Sequence, residues 1–461
     1  MTFVNAIQKT PVTARTTNGM KAQTSAMNPV VDLFYNIGAS RGKDITIQFE
    51  RAYAHDPILA TKVALWARDV RGGAGERKLF RDILLHLENL HPDMLKRVLP
   101  HVATFGRWDD LLIFKSKEFK ALAYTIIGDA LRAGNGLAAK WMPRKGETAI
   151  ELRNFFGMTP KQYRKSLVGL TNVVETPMCA KQFDTIEFGK IPSLAAARYQ
   201  KAFGRNAPAA YTAYKAALEN GTAKVNAAAV YPYDVIKSIR TGDKAVAKAQ
   251  WAALPDYMTD ANVLPMVDVS GSMGCPAGGN PNLTCMDVAV SLGLYCADKN
   301  KGAFKDAFLT FSERSKLEVL KGDILSKYAQ LSRAEWGMST NLHSAFDAIL
   351  KVATTQNVPQ ADMPKTLLIL SDMNFNQCVR FDDSAFEMIA RKYKDAGYEM
   401  PNIVFWNLNA SGHVPVSFDQ RGVALVSGFS PAIMKSILGG KEFSPEAIML
   451  QTIGAERYNV L

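Results

Sequence analysis

The chain has 461 residues, of which 48% are apolar, 21% charged and 10% aromatic. This usage excludes a fibrous or wholly disordered chain, and at roughly 150 residues per domain the length predicts two or three domains, each able to bury its own core. The formal charge of +12 is uneven: residues 1–250 hold 37 Lys/Arg against 21 Asp/Glu, an excess of +16, whereas residues 251–461 hold 18 against 22, or −4. A basic excess confined to one half points to a polyanion partner for that half, the bland alternative being a solvated basic surface.

Met1–Asn28 is rich in Thr, Ala, Asn and Ser and lacks the apolar h-region of a signal peptide, so residues 1–28 are expected to be a flexible tail. No run of about 18 apolar residues occurs, which argues against a membrane span. Five cysteines (Cys179, Cys275, Cys285, Cys296, Cys378) show no CxxC pair, and an odd number cannot all pair internally. That pattern reads as a reducing compartment, with a cytoplasmic location expected. The six histidines are dispersed, which weakens any His-based zinc site or triad.

From Pro29 to about Gln250 the apolar residues recur at helical spacing. Ile58, Val63, Ala64, Leu65 and Trp66 form one stripe, and Leu79, Phe80, Ile83, Leu84 and Leu87 form another. Leu111, Leu112 and Phe114, then Leu122, Ile126, Ile127 and Leu131, continue it. Strand-like alternation is scarce, so residues 29–255 are expected to be an all-α domain, a solenoid or irregular bundle of helices joined by Gly/Pro breaks.

From about Ala261 short apolar runs replace the stripes: Val263–Val269, Ala303–Phe311, Thr366–Leu370, Asn402–Trp406 and Val423–Val426. Helical stretches lie between them at Cys285–Asp298, Leu342–Val352, Ser384–Ala396 and Pro431–Leu438. Buried strands alternating with helices predict a doubly wound α/β domain over residues 256–461, with a largely parallel sheet covered on both faces. In such sheets the functional crevice lies at the carboxyl ends of the strands.

Two of these runs end in acidic residues. Asp268-Val269-Ser270-Gly271-Ser272 places one carboxylate and two hydroxyls in a single loop, with Gly271 allowing a tight path. Such oxygen donors suit a hard cation, Mg²⁺ or another divalent ion. Thr340, opening a later helix, and Asp372, ending the Thr366–Leu370 run, would supply further ligands. Asp/Ser/Gly clusters also occur in ordinary turns. The Asp268–Ser272 loop, Thr340 and Asp372, in this order, resemble a von Willebrand factor A domain over about residues 258–461. That resemblance implies a Rossmann-like fold and a metal-ion-dependent adhesion site, or MIDAS, at Asp268, Ser270, Ser272, Thr340 and Asp372.

In the basic half three segments combine cations with aromatic or glycine residues. Arg68–Lys78 (RDVRGGAGERK), with Arg81 one turn on, joins two helices through a Gly-rich loop whose free N–H groups suit a phosphate. No GK[ST] follows and no strand precedes, so it is not a nucleotide P-loop. Phe105–Leu111 holds Arg107 beside Trp108, and Lys140–Lys145 is followed by Lys161–Lys165. Cations beside aromatics suit phosphate contact with base stacking. The RNA-contacting candidates are Arg71, Arg77, Lys78, Arg81, Arg107, Lys140, Arg144, Lys145, Lys161, Arg164 and Lys165. The structural alternative makes Trp108 and Trp141 core anchors and pairs the arginines with acids of their own domain.

The segments RDVRGGAGER, FGRWDDL, KWMPR, MTPKQYRKSL and KIPSLAAARYQKAF occur in one order over about residues 29–250. Together they resemble the TROVE module of Ro-type RNA-binding proteins and of a related group with viral members. The resemblance implies a ring of HEAT-like helical repeats closed by the A domain, with structured small RNA on a basic outer face and single-stranded RNA ends in the central hole. The expected function is therefore noncatalytic RNA binding, with Mg²⁺ at the MIDAS and no membrane partner. The alternative is a protein-interaction module whose metal takes an Asp or Glu from a protein partner. An enzyme is disfavoured because no nucleophile–base pair or nucleotide loop accompanies the acids.

Overall fold

A computed structural model describes residues 12–227, 230–242, 244–258, 262–311, 315–332, 341–377, 382–410, 412–439 and 442–461. Two short strands, β1 (Thr13–Arg15) and β2 (Lys21–Gln23), pair antiparallel at the start. The expected tail is corrected here for residues 12–28. Gln23 exchanges backbone hydrogen bonds with Val414 at 2.8 and 2.9 Å, and the Thr16 hydroxyl donates to the Phe375 carbonyl at 2.7 Å. A polar composition concealed this docking because it is made by backbone groups and polar side chains such as Arg15, Thr16 and Asn18, with only Met20, Ala22 and Ala26 buried as apolar anchors.

Helices dominate from Pro29 to Ala252. Their starts follow local chemistry. Asn28 accepts from the amides of Val30 and Val31 ahead of Pro29, and Asp56 accepts from Leu59 ahead of Pro57. Thr159 and Gln162 form a reciprocal capping box around the helix Pro160–Leu170. In each case the side chain satisfies an orphan amide, and proline at the first position gives up a donor that had no partner. Leu79, Phe80, Ile83, Leu84 and Leu87 are all buried on the helix Arg77–Leu90, as their spacing required.

The second part is built on a six-stranded sheet: β3 (Val263–Asp268), β4 (Ala307–Phe311), β5 (Lys316–Val319), β6 (Thr366–Ser371), β7 (Asn402–Asn407) and β8 (Val423–Ser427). Their order across the sheet is β5-β4-β3-β6-β7-β8, parallel except for β5 against β4. Every residue of β3, β6 and β8 is buried, so both faces are covered. The chain runs outward from β3 to one edge and then restarts at β6 toward the other. The switch in direction therefore falls between β3 and β6. Edge strand β5 and the helices Ile324–Ser332 and Pro445–Ile453 had no distinct signature in the sequence; β5 is mostly exposed and carries no buried apolar run.

The expectation of separate cores is also corrected. One apolar core runs from Met20 to Tyr458 across both parts, and a smaller one gathers Phe188, Ile191, Phe203, Tyr211, Leu218 and Val246. The helix Pro29–Ile37 lies against β8. Ser427 Oγ donates to the Phe34 carbonyl at 2.9 Å and accepts from the Gly38 amide at 3.1 Å, while Asn407 Nδ2 donates to the Tyr35 carbonyl at 3.4 Å. At the other end of the chain Arg457 Nη2 and Tyr458 OH donate to the buried Asp69 carboxylate at 2.9 and 3.1 Å. A change in sequence pattern marks where element type changes, not where packing stops.

A Cβ at Gly38 would lie 2.8 Å from the Ser427 backbone. Gly38→Ala should therefore cost about 1–3 kcal/mol through overpacking. Far-UV circular dichroism and intrinsic fluorescence should show the same lowered denaturation midpoint. A shift in one signal alone would mean that the two parts unfold independently.

Candidate functional site

The strand ends at the switch point bring acids and hydroxyls together. Asp268 closes β3 and is fully buried; Asp372 follows β6 and is also buried. Asp268 Oδ1 accepts from the Ser270 amide at 3.0 Å, and its Oδ2 accepts from the Ser371 hydroxyl at 2.5 Å. The Oγ atoms of Ser270 and Ser272 lie 3.1 Å apart, and a short turn over Gly271–Gly274 leaves Ser272 exposed. Asp372 accepts from the Asn374 amide at 3.1 Å. Thr340 lies outside the described residues. The Asp268 carboxyl is pushed up to about 7, chiefly by burial with Asp372 adding to it, against the opposing hydrogen bonds from Ser371 and Ser270. A cation would relieve what raises it, the lost hydration and the neighbouring acid. The donors are all hard oxygens, and they fit a divalent ion of the Mg²⁺ class.

Ser371 was not read as a site residue in the sequence, although it sits next to Asp372. Its hydroxyl both restrains Asp268 and accepts from the Met373 amide at 3.0 Å, tying the two strand ends together. Lys43 reaches the same crevice from the helical part, donating to Asn409 Oδ1 at 2.9 Å and to the Ala410 carbonyl. Burial lowers its pKa, while Cys275, Cys285 and Asp372 act against that shift.

The basic segments divide into two groups. In the first, Asp109 and Asp110 gather the arginines. Arg68 reaches Asp110 at 2.8 Å and Arg81 reaches it at 2.6 Å, while Arg77 and Arg107 each reach Asp109 at 2.6 Å. Arg107 also lies over the Trp141 ring, 3.7 Å from its centroid, so that face of Trp141 is covered. Trp108 packs partly buried against the core. The Gly-rich loop spends its own donors: Gly73 on the Asp69 carbonyl, Ala74 on Trp66, Glu76 on Ala67 and Arg71 on the Asp69 side chain. Buried Glu76 stands at the N-cap position of the helix that follows, and its carboxylate is held by Arg41 at 2.7 Å rather than by the helix amides. Arg71 itself is exposed, and Lys78 is exposed but paired with Asp82 at 2.7 Å.

The second group is open. The helices Gly136–Trp141 and Pro160–Leu170 pack together, and the Tyr163 hydroxyl donates to the Pro143 carbonyl at 3.1 Å. This contact sets the 140–145 segment beside the 161–165 segment. Arg144, Lys145, Lys161, Arg164 and Lys165 are exposed there, with half-buried Lys140 beside Trp141. Among the described residues none of these six has an acidic partner; Arg144 donates only to the Thr171 hydroxyl at 3.3 Å.

Two of the dispersed histidines converge in space. His86 Nε2 and His91 Nε2 lie 2.7 and 2.9 Å from the same oxygen, Glu50 Oε2. No sequence spacing announced this, because Glu50 comes from a different helix and the histidines straddle a helix end.

The fold and sites define a protein of two joined parts: a basic helical array sealed onto an α/β sheet with an acid-and-hydroxyl crevice at its switch point. The chain belongs to the family described as Domain of unknown function (DUF2828), whose model matches residues 16–115 and 125–264. Residues 262–458 match a second model, Domain of unknown function (DUF7788). Uncharacterized protein L728 of Acanthamoeba polyphaga mimivirus is 30% identical over 503 residues, covering 95% of this chain and 86% of that protein. Among solved structures, the Ro (RSR) protein of Deinococcus radiodurans is similar at 16% identity and a TM-score of 0.47, over 92% of this chain and 99% of that one. No helix among the described residues is long and apolar enough to cross a membrane.

The two basic groups should respond differently to mutation. Asp110→Asn weakens the partner of buried Arg68 and of Arg81, and should cost roughly 3–5 kcal/mol in a denaturant titration. Lys165→Ala, at an exposed site without a partner, should stay within about 0.5 kcal/mol of wild type.

Proposed function

We propose that this chain is a noncatalytic RNA-binding protein that holds RNA phosphates on the face carrying Arg144, Lys145, Lys161, Arg164 and Lys165, with Lys140 at its edge. The observation that carries the reading is this set of exposed cations without acidic partners, assembled from two segments by helix packing. Lysine and arginine in solvent offer their charge to a polyanion at little desolvation cost, whereas Arg77, Arg81 and Arg107 are already held in ion pairs with Asp109 and Asp110. With Trp141 covered and Trp108 packed, contact is made chiefly to the phosphate backbone, which selects RNA by shape more than by base. The resemblance to the TROVE module supports small structured RNA, or RNA ends, as the ligand, and HEAT-like repeats as the architecture that presents it.

The strand-end crevice, in this reading, is the MIDAS of a von Willebrand factor A-type domain. Asp268, Ser270, Ser272 and Asp372 hold Mg²⁺, with Thr340 as the fifth protein ligand implied by the family pattern. The bound ion would offer a coordination position to an incoming carboxylate. Ser371 and the Ser270 amide keep the Asp268 carboxylate oriented. A second reading, a metal-dependent protein-interaction module without an RNA role, is favoured by the exposure of Ser272 at the mouth of this crevice.

The test is the salt dependence of binding to a small structured RNA. Affinity should fall steeply between about 50 and 200 mM salt, and the log–log slope should shrink by about one for each phosphate contact removed. Arg144→Ala, Lys145→Ala, Arg164→Ala and Lys165→Ala combined should weaken binding and flatten the slope, with the RNA left intact in Mg²⁺. Equal slopes for variant and wild type would rule out this face. Asp268→Ala should abolish Mg²⁺ binding by calorimetry and leave RNA affinity unchanged. Loss of a protein partner with no RNA binding in any protein would favour the second reading.

A further inference from the structure

We infer that Glu50, His86 and His91 form a zinc site in the helical part, separate from the strand-end crevice. Three elements build it. Glu50 lies on the helix Thr46–His55, His86 on the last turns of Arg77–Leu90, and His91 at the joint before Pro92–Val98. One ligand atom from each, two imidazole nitrogens and a carboxylate oxygen, lies within 4.8 Å of the other two. Ligands around a tetrahedral zinc sit about 3.3 Å apart, as bonds of about 2.0–2.1 Å require. The two nitrogen–oxygen gaps, 2.7 and 2.9 Å, thus need to open by a few tenths of an ångström, while the two nitrogens, within 4.8 Å of each other, settle to the same spacing.

The side chains are held for this by packing. Tyr53 stacks on His91 with ring centroids 3.9 Å apart, and Phe49 meets His86 edge-on at 6.0 Å. Both aromatics share the helix that carries Glu50. Pro92 fixes the chain immediately after His91. Two imidazoles and one carboxylate suit a borderline ion, zinc above all, more than magnesium or calcium, which take oxygen ligands. In the metal-free state both Nε2 atoms can donate to one carboxylate oxygen. On binding, each ring proton moves to Nδ1, and the Nε2 lone pairs and the carboxylate turn to the ion. The Glu50 side chain is 39% exposed and the histidines 19% and 22%, which leaves the fourth position open to water.

The experiment uses the full chain, stripped with a chelator and titrated with Zn²⁺ against a chromophoric zinc indicator, then with Co²⁺ for its visible spectrum. Wild type and Asp268→Ala should each bind about one equivalent, with the intense absorption of low-coordinate Co²⁺. His86→Ala/His91→Ala should bind none. Should that double variant fail to fold, His91→Gln and Glu50→Gln, each checked by circular dichroism, should lower zinc affinity at least tenfold. Absence of indicator competition by wild type would overturn the site. So would unchanged stoichiometry and affinity in folded His91→Gln, or loss of zinc in Cys275→Ser, which would place the ion at the Cys275–Cys285 thiols instead.

Discussion

The contact on which the rest of this structure depends is the seal between its first long helix and the last strand of its sheet. Pro29–Ile37 covers β8, and Ser427 stitches the helix end by donating to Phe34 and accepting from Gly38. Edge strands present unpaired backbone and apolar side chains, and covering one with a helix removes that liability. Here the cover comes from the opposite end of the sequence. The helical part and the sheet therefore share one core, and Asp69, holding Arg457 and Tyr458, repeats the arrangement at the C-terminal end. A loss of packing at this seam should be felt at both candidate sites.

The seam bears on function through position. It leaves the β3 and β6 strand ends facing residues of the helical part, so that Lys43 stands beside the acids of the crevice. A second constraint acts within the helical part. Buried Asp110 serves Arg68 and Arg81, while Asp109 serves Arg77 and Arg107. Four cations are committed to holding helices together. On the 144–165 face, by contrast, Arg144, Lys145, Lys161, Arg164 and Lys165 stand exposed with no acidic partner among the described residues.

Much of the site was legible where chemistry is local. Asp268, Ser270 and Ser272 belong to one loop, and a buried run ending in an acid announces a strand end. Asp372 follows from the same pattern one strand later. Capping residues and proline marked helix starts in the same way. Ser371 was missed because its role is to a residue on another strand, across 103 positions of sequence. The fate of Arg77, Arg81 and Arg107 was equally hidden. Their partners Asp109 and Asp110 were visible as acids, but nothing in the order of residues says which cations they meet. Glu50, His86 and His91 are the extreme case, a set with no spacing motif at all.

The amino-acid sequence by itself determined the succession of a helical part and an α/β part, the strand-end acids, and the half of the chain that carries positive charge. Each depends on periodicity or composition within a short window, which local propensity and burial convert directly into structure. Only the tertiary structure decided which basic residues remain free, that residues 12–28 dock onto the second part, that the two parts share a core, and that two distant histidines meet one glutamate. Those outcomes depend on pairings between segments tens to hundreds of residues apart, and such pairings are chosen by packing and ion-pair geometry that no local window contains.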